Sequence, residues 1–569
     1  MTRLFGLMVF LAACLCGATA VADPAAAPVY RITGVVMSGV DEAPVPHAHL
    51  NATPATQGRP VSRFFPGGGA SSGIGVDADE HGRFALSLPS AGAWHLTASA
   101  TGFVTQAFEE HDNYSSAVVL TAATPAIDLR FHLSPEAEIA GTVLDEAGEA
   151  VRGARVTLQR RASNSPDSED QVFRNRMIVQ TDDRGIFEFD DLAEGDYRVQ
   201  VDAKPWYSTT SQPRMPNTTL AVNPSLDVTY QMTWFPGVDD PAQAEILSLR
   251  PADNRRADFH LVPIPAVHLL FPAPPQQQQQ QGHSAPFFPV LERIDSGGGT
   301  GVTQPTFISG PTGQLDIGGL APGLYRVRVP GQNQDTQAKV IEIASGSSRV
   351  VDAASAAAEI TDITVEFDHE EEGRPLLVEL INTENGRRFT SLDRNMFLAA
   401  RPSRDTQQKT PPRRLSLQVP PGRYEISLPG RDTYLVGLTA KGAEVSGRFL
   451  TVRAGEATLA LHTGKGRATI NGIANADGKP VIGATVLLVP AGMDDPHSFT
   501  RLARDQTNTD GSFDLNDVIP GQYILIAVDR GWKINWKDTT TLQKYLIQGV
   551  PLDLHADARV NQNISAQEP

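Results

Sequence analysis

The chain has 569 residues, 40% of them hydrophobic and 7% aromatic, with 48 Lys and Arg against 65 Asp and Glu, for a net charge of −17. One core stops growing well below this length, and about 150 residues per domain gives roughly four domains. The acidic balance, with no basic cluster larger than pairs such as Arg160-Arg161, Arg255-Arg256 and Arg413-Arg414, excludes a phosphate-tracking surface and with it nucleic acid as a partner.

Residues 1–22 read as a secretory signal peptide: Arg3, an apolar run over 4–16 too short to span a bilayer, then Ala18-Thr19-Ala20-Val21-Ala22-Asp23 with two overlapping A-x-A sites. Leu11-Ala12-Ala13-Cys14 also matches a lipobox, which gives the alternative of a lipoprotein anchored at Cys14. Both cysteines, Cys14 and Cys16, fall in this leader, so the mature chain is expected to use no disulfide, thiolate metal site or cysteine nucleophile. No later apolar stretch reaches membrane length.

Beyond the leader, a short hook recurs in chain order as Gly92-Ala93-Trp94, Gly195-Asp196-Tyr197, Gly323-Leu324-Tyr325, Gly422-Arg423-Tyr424 and Gly521-Gln522-Tyr523, each followed by alternating apolar residues. Successive hook aromatics lie about 100 to 130 residues apart, the length of one sandwich domain. Ahead of the hook stands a turn and strand, as in Asp182-Asp183-Arg184-Gly185-Ile186-Phe187-Glu188-Phe189 and Asp510-Gly511-Ser512-Phe513-Asp514-Leu515. Asp accepts local backbone hydrogen bonds and Gly takes positive φ cheaply, so these are turns feeding a period-two strand. Each full unit opens with a strand, an Asp/Gly turn and a second strand, clearest in Gly141-Thr142-Val143-Leu144-Asp145-Glu146-Ala147-Gly148 and Gly472-Ile473-Ala474 with Asp477-Gly478. The repeat predicts an all-β tandem array of five antiparallel sandwich modules over residues 28–133, 134–263, 264–352, 359–463 and 464–569. Residues 272–281, rich in Pro and Gln, read as a flexible insertion in the third module, and residues 353–358 as a linker. The one helix expected lies over residues 541–548, where Leu542, Tyr545 and Leu546 share a face.

These motifs together resemble the carboxypeptidase regulatory-like domain, a small transthyretin-like β-sandwich; the second and fifth modules match closely, the first well, the third and fourth mainly in their second halves. The resemblance implies an accessory sandwich without peptidase activity, because the metal ligands of such peptidases belong to a separate domain.

Candidate chemistry is sparse. Gly69-Ala70-Ser71-Ser72-Gly73 fits a serine-nucleophile pattern but lies in a Gly/Ser loop without the strand and helix that would strain the serine into place. Asp77-Ala78-Asp79-Glu80-His81-Gly82 begins like a calcium loop, yet the twelfth position is Leu88 and the other modules use this place as an ordinary turn. His47 and His49, two apart, are expected on one strand face with no companion ligand, and His369-Glu370-Glu371-Glu372 reads as a charged turn. No metal and no cofactor is therefore expected. Aromatics outside the hooks remain: Trp206, Tyr207, Trp234, Trp532 and Trp536 could stack on sugar rings or plug the joints between modules. The reading is an exported, non-enzymatic protein, periplasmic, at the cell surface or extracellular, that binds carbohydrate or envelope protein on module surfaces or in joints. The alternatives are a polysaccharide or peptide hydrolase assembled across modules, and a purely structural spacer.

Overall fold

The computed structural model describes residues 30–55, 73–111, 114–161, 173–208, 223, 225–271, 290–294, 300–303, 306–309, 315–329, 337–346, 348–353, 360–367, 377–383, 388–390, 414–428, 433–492, 502–536 and 538–569. The leader with Cys14, the insertion at 272–281, most of the serine motif and the turn at 369–372 lie outside them.

Five β-sandwiches follow one another, each with the same plan. In the first, Tyr30–Ser38 pairs antiparallel with Arg83–Leu88 and parallel with Ala126–Leu133. Facing it, the hook strand Gly92–Ala100 pairs with His49–Pro54, Phe103–Ala107 and Val118–Leu120. The opening strand is again sandwiched between an antiparallel and a parallel neighbour in the second module (Ala137–Leu144), the third (Val267–Phe271), the fourth (Thr361–Phe367) and the fifth (Ala468–Ala476). The parallel partner is always the module's last strand, such as Gly455–Lys465 in the fourth. Each module is thereby closed by its own two ends. This parallel pairing, made by one strand in the first, third and fourth modules and by two short strands in the second and fifth, is the departure from the all-antiparallel expectation, and the chain between the paired ends crosses over through the facing sheet.

Alternation decides which side chains enter the core. Arg83–Leu88 runs exposed, buried, exposed, buried, and puts Phe84, Leu86 and Leu88 inward against Ile32, Leu96 and Phe131. Where the two ends of the first, second and fifth modules meet, the opening strand needs a residue without a side chain. A Cβ on Gly34, Gly141 or Gly472 would come within 2.0, 2.1 and 1.9 Å of the carbonyl oxygens of Leu129, Ala257 and Gln562 in the closing segment. The recurring Gly of the opening motif is thus a close-approach site between paired backbones.

The hook has a different requirement. All five hook glycines have φ between +137° and +156°. A Cβ at Gly92 would touch nothing and at Gly521 only the Tyr523 ring at 3.6 Å, so backbone conformation, rather than space, demands glycine. Two residues on, the aromatic ring drops into the core, and the tyrosine hydroxyl turns back along the preceding loop. Tyr197, Tyr325, Tyr424 and Tyr523 each donate to the carbonyl four residues upstream, on Ala193, Ala321, Pro420 and Ile519, at 2.6 to 2.7 Å. The hydroxyl so satisfies a buried polar group while pinning the connection between two strands that lie in different sheets. Trp94 fills the same place in the first module with its indole N–H unpartnered.

The expected helix forms as Thr539–Leu546, capped by Asp538, whose carboxylate accepts from the Thr540 amide at 3.0 Å. Among the described residues no helix is long and apolar enough to cross a membrane.

If the hook carries each module, changes confined to it should be felt by one module alone. Gly521→Val and Tyr523→Ala should each destabilise the fifth module by about 2 to 5 kcal/mol, from a forbidden φ and an emptied core respectively. Urea unfolding of the full chain followed by pulse proteolysis checks this; unchanged resistance of residues 468–569 in both variants would contradict it.

Candidate functional site

The five aromatic candidates are carried to separate places by their local structure. Trp206 and Tyr207 follow the hook strand Gly195–Asp202 of the second module. The Trp206 ring is 72% exposed and meets Tyr207 edge to face, 5.8 Å between centroids at 89°. Tyr207 is held from behind: its hydroxyl donates to the Glu146 carboxylate, which also accepts from Tyr230 at 3.1 Å. Burial, and then the hydrogen bond to Glu146, push the Tyr207 phenol up to about 12, so it stays a neutral donor at any physiological pH. Burial and the same carboxylate raise Tyr230 further. The result is an exposed indole face beside a fixed phenol, rimmed by a carboxylate. An apolar plane flanked by hydrogen-bonding groups can hold the C–H face of a sugar ring.

Sequence reasoning singled out Trp206 and Tyr207 but not Glu146 or Tyr230. By sequence Glu146 belongs to the turn Asp145-Glu146-Ala147-Gly148, which Asp145 holds by accepting from the amides of Ala147 and Glu149 at 2.9 and 2.8 Å. Nothing in the spacing of positions 146, 207 and 230 foretells that they converge.

Trp234 is buried on the second module, outside its main hydrophobic cluster, with the Arg198 guanidinium 4.5 Å above its ring. Arg198 is itself buried and donates through Nε to Gln159 at 2.8 Å, so the indole serves to satisfy a cation under the sheet. The turn that follows it, with a cis peptide bond at Phe235-Pro236, forms one wall of a cleft of about 620 Å³ between the second and third modules. Thr233, Asp239, His260, Val262, Pro322 and Ser345 line it.

Trp532 and Trp536 belong to the fifth module. Trp536 is buried among Leu487, Val489, Ile526, Val528 and Leu542 beneath the helix, edge to face with Tyr545 at 5.4 Å. Trp532 reaches the first module, where it stacks on His111 at 3.7 Å with the rings 6° from parallel. Around that stack the first and last modules share a hydrogen-bonded seam. Ser116 Oγ donates to the Thr507 carbonyl at 2.7 Å, the amides of Ala117 and Val119 donate to Asn508 Oδ1 and Thr509 Oγ1 at 2.8 Å, and the Thr509 amide returns to the Ala117 carbonyl at 3.0 Å. Gln506 Nε2 donates to the Glu109 carbonyl and to Ser116 Oγ, and the Arg504 guanidinium lies 4.7 Å over Tyr114.

The calcium-like stretch is a turn. Asp79 Oδ1 accepts from the amides of Arg83 and His81 at 2.8 Å, and these bonds hold its carboxyl below the usual range. Asp182 does the same with Ile186 and Arg184, and Asp510 accepts from the Ser512 amide. His47 and His49 do not share a strand face, contrary to the spacing argument. The strand starts at His49, while His47 sits before it in a left-handed turn with φ +55°; His49 pairs with Asp77 at 2.7 Å on the surface. Among the described residues no group of three His, Cys, Asp or Glu is placed to hold a metal ion.

Against this geometry stand the comparisons with known proteins. Residues 138–233, in the second module and including the Trp206–Tyr207 surface, match the family model of the carboxypeptidase regulatory-like domain. No curated protein matches the chain. Solved structures with similarity include the Bacillus anthracis TIE protein, at 10% identity over 95% of this chain and 74% of that one with a TM-score of 0.16. The minor pilin of Streptococcus agalactiae matches at 10% identity over 43% of this chain and 99% of its own, TM-score 0.20. A streptococcal ancillary pilin matches at 12% identity over 57% and 98%, TM-score 0.19.

The different placements make the tryptophans separable by stability alone. Trp234→Ala should cost about 3 to 5 kcal/mol, as for a buried aromatic, whereas Trp206→Ala should stay within about 0.5 kcal/mol of the parent. Thermal melts of the two variants check this, and equal losses would show that the indole of Trp206 packs against something that these contacts omit.

Proposed function

We propose that the chain is an exported, non-catalytic, multi-module binding protein that holds a carbohydrate ligand on the Trp206–Tyr207 surface of its second module. The observation that supports this most is the exposure of Trp206. Large apolar side chains are seldom left this open on a module whose other described aromatics are buried or half-buried, and this one stands on a phenol already fixed by Glu146. A rigid aromatic plane loses little conformational entropy when a ligand arrives, which favours a small, shallow contact. The leader-like residues 1–22 supply the support for export, and the acidic surface, with a net charge of −17, suits a neutral glycan better than a polyanion.

The experiment is a glycan array with the full chain, followed by calorimetric titration of the best hit against Trp206→Ala, Tyr207→Phe and Trp234→Phe. Removing a stacking aromatic should weaken binding by about tenfold or more, a loss of about 1.4 kcal/mol, in Trp206→Ala. Tyr207→Phe should weaken it less, through looser anchoring, and Trp234→Phe should leave it unchanged. Binding that survives Trp206→Ala, or turnover of the glycan abolished by a single carboxylate substitution, would overturn the proposal.

A further inference from the structure

Between the second and third modules runs a two-stranded ribbon, Val228–Tyr230 paired with Pro263–Pro265. Its Tyr230 end is tied to the second module through Glu146. At the other end Asp227, just before the ribbon, enters the third module and meets His268 on the opening strand Val267–Phe271. His268 is buried and sits at a β-bulge: Val267 pairs with Leu320 and Leu269 with Ile317, so His268 faces both Gly318 and Gly319. A Cβ on Gly318 would lie 2.8 Å from the imidazole, so the ring lies flat where the bulge leaves no side chain.

Both ring nitrogens face carboxylates. Nε2 lies 3.0 Å from both oxygens of Asp227, and Nδ1 lies 2.9 and 3.0 Å from those of Asp316. A neutral imidazole carries one N–H and would turn a bare lone pair on one of these carboxylates at hydrogen-bond distance, whereas the imidazolium donates to both. We propose that the joint between the second and third modules is a proton-dependent lock, in which doubly protonated His268 clamps Asp227 of the ribbon to Asp316 of the third module and releases the ribbon when it loses a proton.

The other charges at the site define how complete the release is. Arg349, ahead of the last strand Val350–Asp352, places Nη1 3.9 Å from Asp227 and keeps one positive charge near it at every pH of interest. The elements packed around His268 carry two further titratable groups among the described residues: Tyr230, engaged with Glu146, and Asp352, which pairs beside Leu270. The hydrogen bonds to Asp316 and Asp227 outweigh the cost of burial and lift His268 to about 9. The direction of the linkage follows. The folded-state value is raised, so the clamp's contribution is whole below the ordinary histidine value of about 6.5 and is lost as pH rises through about 9. The joint therefore loosens as the solution becomes alkaline and is tightest where His268 is fully protonated and both carboxylates are ionised.

Hydrogen exchange of the full chain between pH 6 and 9.5, with rates normalised for the intrinsic pH dependence, tests this. Peptides spanning residues 225–231 and 262–271 should lose protection by about tenfold or more between pH 6.5 and 9, while the fifth-module strand Gly521–Val528 keeps its own. His268→Gln should abolish the pH dependence of the ribbon peptides. If that variant fails to fold, Asp316→Asn should move the midpoint to lower pH. Ribbon protection that is flat across the range in the parent chain, or that falls equally in all modules, would overturn the lock.

Discussion

Each sandwich in this chain depends on how its hook turns from one sheet into the other. The hook glycine supplies a backbone conformation that other residues resist, and the aromatic two positions later commits the next strand to the core. In four modules the tyrosine hydroxyl then closes on the carbonyl four residues back, across the loop it has just left. That one bond ties the sheet containing the opening strand to the sheet containing the hook strand, and the core side chains between them pack against a fixed frame. Conformation, burial and hydrogen bonding agree at this point, which is what lets a sequence as variable as these five modules return to one plan.

Outside that frame the modules differ in what they do with their aromatic and charged residues, and those differences make joints and surfaces. Trp532 is spent on His111 in the seam between the first and last modules, Trp234 on a buried guanidinium, and Trp536 on the floor under the only α-helix among the described residues. Trp206 alone of these turns its face outward. The ribbon from Asp227 to Pro265 links that region to the third module, because Glu146, which fixes Tyr207, also holds the ribbon's Tyr230. The His268 end of the ribbon and the exposed aromatic surface are thus joined by the ribbon's own backbone and, at its other end, by the hydrogen bonds of Glu146 to Tyr230 and Tyr207.

How much of this was legible in the sequence follows from how local each feature is. The hook could be read because its glycine, its aromatic and its strand lie within a few residues, and the Asp/Gly turns because Asp79, Asp182 and Asp510 satisfy amides two to four positions on. The recurring Gly141 and Gly472 were visible as a pattern, but their cause, a carbonyl arriving from the far end of the module, was not. The same distance hid the parallel pairing of first and last strands and the seam joining Ser116 to Thr507. The fate of each tryptophan was equally open, since an alternating pattern cannot say which partner covers a loop residue. His268 drew no notice at all. Its only mark is a lone imidazole inside the apolar run Ala266-Val267-His268-Leu269-Leu270-Phe271, a buried polar group that must find partners the sequence does not name.

Calorimetry of the full chain with single Tyr→Phe substitutions at positions 197, 325, 424 and 523 tests the hook most directly, because phenylalanine keeps the ring and removes only the hydroxyl. Each substitution should cost its own module about 1 kcal/mol and lower one transition by about 4 to 8 °C while the others stay in place. Four variants that melt like the parent would contradict the account, since the hydroxyl bond would then be an accompaniment to the fold instead of the tie that holds its two sheets together.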